Sequence, residues 1–97
     1  MIHQPDPQQR LLRALAADAD GWGVTIRMTA AYERPWSSAT FVGCRLTIEL
    51  AIAGDARGWL TALPEADLPL PGRIVADLVV TRTTSDTATL EVLLLET

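Results

Sequence analysis

The chain has no lysine and no asparagine, and only one cysteine, one histidine, one phenylalanine and one tyrosine. Each scarcity excludes something. A lone Cys44 cannot form an intrachain disulfide, which points to a reducing, cytoplasmic home. His3 is the only histidine and falls in a polar tail at residues 1–5 that reads as flexible. No His/Cys cluster can therefore be assembled as a metal site, and Cys44 has no histidine to act as its base. No metal or cofactor is expected. No apolar run approaches the roughly 20 residues of a membrane span. The first ten residues hold two prolines and lack the apolar stretch of a signal peptide, so no membrane association is expected. A basic cluster is also missing. Residues 1–53 carry five arginines and five acids, whereas residues 54–97 carry three arginines and seven acids, giving a net charge of −4. Nucleic-acid binding needs a clustered basic face, so no nucleic-acid partner is expected. All eight cations are arginine. With the abundant alanine, that usage fits a GC-rich bacterial coding sequence.

The glycines supply no phosphate loop. Gly21 and Gly23 follow a helical pattern and precede a strand pattern, whereas a phosphate-binding turn runs from strand to helix.

What is present is the composition of an ordinary folded chain, 48% hydrophobic and 21% charged. Ninety-seven residues predict one domain, 1–97. Asp6, Pro7 and Gln9 form a helix-start signature. Leu11, Leu12, Leu15, Ala16 and Ala19 then recur as one helical stripe, and Gly21 is expected to stop it in the left-handed conformation. From Trp22 the period changes to two. Trp22, Val24, Ile26, Met28, Ala30 and Tyr32 alternate with more polar positions, until residues 33–38 interrupt with Pro35. Val42, Cys44, Leu46, Ile48, Leu50 and Ile52 form a second alternation, and pairing Ile26 with Ile48 aligns the two apolar faces. Gly43 within this strand is expected to mark a bulge. Asp55 caps a short helix containing Trp59, Leu60 and Leu63. Residues 65–72, with Pro69 and Pro71, read as an extended connector. Two further strands follow at residues 73–83 and 87–96, joined by a turn at Thr84, Ser85 and Asp86. Ile74, Ala76, Leu78 and Val80 are expected on one face of the third strand.

The fold class is therefore α+β: a four-stranded antiparallel sheet of two hairpins, an N-terminal helix packed on one face, and a short helix between the hairpins, in the order α-β-β-α-β-β. Pairings 1–2 and 3–4 follow from adjacency, while the strand order is open between a split arrangement and a meander.

Two features point to contact surfaces. The first is a hairpin loop at residues 32–36, where Tyr32, Arg34 and Trp36 are the residue types that dominate binding hot spots. The second is an apolar patch on the outward face of the last two strands, made of Val75, Val79, Leu93 and Leu95. Such a patch implies burial against a second chain or against residues 55–71. A small domain with this patch beside an edge strand is expected to be a homodimer.

The expected function is a non-enzymatic protein-interaction or accessory domain acting as a homodimer, with a further protein partner as its ligand. The alternative is a small-ligand binder with an apolar pocket between helix and sheet, lined by Met28, Tyr32 and Trp22. No catalytic residue is assigned. An enzyme would have to use Arg27, Arg45, Glu49, Asp77 and Glu91, which share a flat, wet sheet face and read as solvated charges.

Overall fold

The computed structural model describes residues 7–97. The expected flexible tail at residues 1–5 and the cap Asp6 lie outside the described residues. Helix α1 spans Pro7–Asp20 and buries Leu11, Leu15 and Ala19, one residue per turn on a single face. It ends at Asp20, directly before Gly21 as expected, but the left-handed residue is not Gly21. The Ala19 carbonyl accepts from the N–H groups of Trp22 and Val24, at 2.9 and 3.0 Å, and Gly23 takes the left-handed conformation at φ 71°. A residue without Cβ adopts that φ freely, so the reversal into the sheet falls at Gly23. Trp22 consequently lies in the turn and not in the strand. Its ring rests against Gly58, where an added Cβ would meet the indole at 2.9 Å.

Strands β1 (Thr25–Ser37) and β2 (Val42–Ala53) form the first hairpin. Pro35 does not end β1; it pairs with Cys44 inside the ladder. Proline is tolerated there because β1 is an edge strand, with one side free of ladder bonds. The turn falls at residues 38–41. The Ser38 hydroxyl oxygen accepts from the N–H groups of Thr40 and Phe41 at 3.3 and 3.1 Å, and the Ser38 N–H donates to the Phe41 carbonyl at 2.8 Å. Turn position fixes hairpin register. Ile26 therefore meets Ile52, and Ile48 meets Ala31, in place of the expected Ile26–Ile48 pair. Gly43 marks no bulge. Its neighbour across the ladder comes so close that a Cβ would collide with the Leu94 carbonyl.

Helix α2 (Arg57–Ala62) runs into a 3-10 turn, Leu63–Glu65. Asp55 accepts the Arg57 N–H at 3.2 Å and pairs with its guanidinium, one residue ahead of the N-cap Ala56. Strands β3 (Arg73–Thr83) and β4 (Thr87–Glu96) form the second hairpin. Thr84, whose hydroxyl accepts from the Thr87 N–H at 3.1 Å, builds the expected polar turn between them.

The sheet order is β1-β2-β4-β3, all antiparallel, so the split arrangement holds and the meander does not. The chain leaving β2 must reach the far edge before β3 can begin. It crosses the face that α1 already covers. Trp59, Leu63, Leu68 and Leu70 join Leu11, Leu15, Leu46, Ile48, Leu90 and Leu94 in one buried cluster. Each fully buried leucine contributes about 1.5–3 kcal/mol, so this face holds the fold together. Two polar ties fix the cover. The Trp59 indole N–H donates to Asp18 Oδ2 at 2.9 Å, and Arg10 donates to the Pro71 carbonyl at 2.9 Å. No helix among the described residues is long and apolar enough to cross a membrane.

Candidate functional site

The opposite face of the sheet carries no helix among the described residues. Three bulges decide what it displays. The ladder slips between Met28 and Ala30, between Val75 and Asp77, and between Val80 and Arg82. Each slip inserts one residue and exchanges the faces of everything beyond it. In β1 the slip turns Ala31 to the core and sends Ala30, Tyr32, Arg34 and Trp36 to the open face. In β3 it places Val75 opposite buried Leu94, packed on the core, and sends Ile74 outward beside Leu95.

Two expectations are corrected by these slips. Residues 32–36 are not a loop; Tyr32, Arg34 and Trp36 alternate along one side of an edge strand. Val75 does not belong to the outward patch, whereas Val79, Leu93 and Leu95 do, and Ile74 takes the vacated place. A third correction concerns cover. Residues 55–71 do not dry this patch, because their apolar side chains join the buried cluster on the other side.

Two features that looked separate in the sequence thus share one surface, arranged in rows across the four strands. The first row runs Trp36, Gly43, Leu95, Ile74. The second runs Arg34, Arg45, Leu93, Asp77, and the third Tyr32, Thr47, Glu91, Val79. Tyr32 is 63% exposed, Ile74 54% and Val79 44%, while Trp36, Leu93 and Leu95 are half-buried. Trp36 faces Gly43, which offers no side chain, so the indole has room to lie toward the sheet.

The charges on this face are unevenly divided. The β1–β2 half displays Arg27, Arg34 and Arg45 against Glu49; the β4–β3 half displays Glu91 and Asp77 against Arg82. Arg34, Arg45, Thr47 and Glu91 border a shallow hollow of about 130 Å³. Ion pairs among the described residues join Arg57 to Asp55 and Arg73 to Glu96, and none involves these face residues. Arg27, Arg45, Glu49, Asp77 and Glu91, the residues an enzyme would need, do lie on one face, but all are exposed, and no wall encloses them among the described residues.

Other candidate chemistry is not brought together. Met28 packs against the core, Tyr32 lies on the opposite face and Trp22 sits over Gly58, so these three cannot line one pocket. Cys44 is buried, and burial pushes its thiol up, helped by Glu33 and Glu96 and opposed by Arg73. A buried, protonated thiol is a poor nucleophile. Among the described residues no group of three or more His, Cys, Asp or Glu side chains is placed to hold a metal ion. Sequence reasoning missed Ile74 because Ile74 and Val75 are both apolar, so neither residue signals which one faces out.

No protein-family model matches the chain, and no curated protein matches it.

Proposed function

We propose that this is a non-enzymatic interaction domain, a cytoplasmic accessory protein that forms a homodimer through the open face of its sheet. One observation carries the reading. Trp36, Leu95, Ile74, Leu93, Tyr32 and Val79 lie together on a face that no helix covers among the described residues. An apolar surface of this kind is unfavourable in water and marks a contact site. Tryptophan and tyrosine beside an arginine are the side chains that anchor protein interfaces. The charges on the face are open to solvent, which suits complementarity with a partner better than proton transfer. The net charge of −4 argues against a nucleic-acid ligand.

Sedimentation velocity tests the reading. At about 50 micromolar, enough to populate a micromolar dimer, the protein is expected to sediment above monomer mass. Trp36→Ala is expected to shift it to monomer while leaving the melting temperature of the dilute protein nearly unchanged. A wild-type protein at monomer mass overturns the homodimer, and a large loss of stability in Trp36→Ala returns Trp36 to the core.

A further inference from the structure

Resting on that reading, we infer that the second copy docks face to face about a two-fold axis that runs parallel to the strands, between β2 and β4, so that Arg34 of each copy meets Asp77 of the other. The edges of the sheet are poor alternatives. Edge β1 carries a bulge and Pro35, and edge β3 carries two bulges. Bulges and proline are the features that keep edge strands from pairing with another chain.

Face-to-face packing needs a two-fold axis lying in the plane of contact. An axis along the strands leaves each row at its own height and exchanges left with right. The β1 lane then lies over β3 of the second copy, and the β2 lane over β4. The first three rows of the open face pair as follows, with Arg45 lying over Leu93 of the second copy and Thr47 over its Glu91. Trp36 covers Ile74 of the second copy, and its Leu95 faces the gap left by Gly43. Arg34 lies over Asp77 of the second copy, and Tyr32 over its Val79. The arginine-rich half meets the carboxylate-bearing half twice, once at each end of the symmetric contact.

An in-plane axis perpendicular to the strands does the reverse. It stacks β1 and β2 on their own copies, bringing Arg27, Arg34 and Arg45 against the same three arginines with only Glu49 to offset them. Like charges facing across an interface cost several kcal/mol, so charge selects the first axis. Within one chain, Arg34 and Asp77 stand three strand spacings apart, about 14 Å, too far to pair. Any contact between them must therefore come from two chains.

The planar footprint is modest. Four strands by about eight residues give roughly 500 Å² per copy, less than the roughly 800 Å² per partner of a standard stable interface. The dimer is accordingly a dissociable one, and its equilibrium responds to single charges.

The test is charge reversal read by sedimentation equilibrium, with circular dichroism melts confirming that each variant is folded. Arg34→Asp alone and Asp77→Arg alone each place like charges at both ends of the contact, and each is expected to raise the dimer Kd at least tenfold. An equimolar mixture of the two variants restores both pairs and is expected to dimerise as wild type does; so is the doubly reversed chain R34D/D77R. If wild type is dimeric and neither the mixture nor the double variant recovers, the axis is wrong and the homodimer reading survives. If wild type is monomeric, both fall. A second measurement avoids charge altogether. In a Cys44→Ala background, a short bis-maleimide is expected to join Tyr32→Cys chains to Val79→Cys chains but neither variant to itself. Equal self-linking of Tyr32→Cys overturns the axis in favour of the perpendicular one.

Discussion

The two faces of this sheet are made by the same four strands, yet they are built on different rules. On the covered face Cys44, Leu46, Ile48 and Leu50 of β2 meet Ala88, Leu90, Val92 and Leu94 of β4, and all are buried. On the other, Gly43, Arg45, Thr47 and Glu49 meet Leu95, Leu93, Glu91 and Thr89, a mixture of apolar, polar and charged side chains. The first composition closes a core. The second would serve neither as core, because no ion pair among the described residues joins its charges, nor as an ordinary wet surface, because nothing among the described residues covers its leucines and tryptophan. A face that fits neither role within one chain supports the proposed contact between chains.

The comparison breaks most visibly under leucine truncation. Leu15 is fully buried on the inner face of α1, so Leu15→Ala is expected to cost about 2–5 kcal/mol in urea unfolding. Leu93→Ala, on the open face, is expected to cost less than about 1 kcal/mol in dilute protein. Equal losses would mean that the open face is packed within the single chain.

A smaller effect sharpens the covered face. Trp59 is fully buried and its indole N–H has Asp18 as acceptor. Trp59→Phe removes the donor and leaves a carboxylate that α1 can turn toward water, an expected loss of about 1 kcal/mol from the bond, plus the smaller ring. Asp18→Ala leaves the donor buried without a partner and is expected to cost about 1–3 kcal/mol. Asp18→Asn, which keeps an acceptor, should recover most of it. An Asp18→Ala protein as stable as wild type would show that the two covering helices are not tied at this point.

Most of the covered face was legible from residue spacing, and much of the open face was not. The stripe Leu11, Leu15, Ala19 and the alternation from Cys44 to Leu50 each have a single period and a single reading. The bulges have no such signature. Between Met28 and Tyr32 the chain reads Thr29, Ala30, Ala31, and two adjacent alanines let the pattern continue in either phase. Ile74 and Val75 hide the second slip in the same way. Register was lost for a related reason: Pro35 resembles a turn residue, while the actual turn at residues 38–41 depends on the Ser38 hydroxyl, a weaker local cue. Sheet order was undetermined because both pairings of adjacent strands are common to the split arrangement and the meander. Tyr32, Arg34 and Trp36 were picked out by residue type alone, and only the β1 slip shows that they share a face with Leu93 and Leu95.

The smallest effect concerns the one thiol, buried in the covered face. Burial, then Glu33, with Glu96 adding and Arg73 opposing, holds the Cys44 proton more tightly in the folded chain than in the unfolded one. A group with a raised folded pKa stabilises fully below its unfolded pKa, and that contribution drains away as pH rises from there through the folded value. The window opens at the ordinary thiol value of 9.0. The absence of lysine makes so small a slope readable. Unfolding free energy is therefore expected to fall more steeply above that pH with Cys44 present than with Cys44→Ala. The comparison is made on slopes, because the substitution also removes packing and shifts the whole curve. Parallel curves would mean that water reaches the thiol, and that the face covered by α1 is open at its Cys44 end as well.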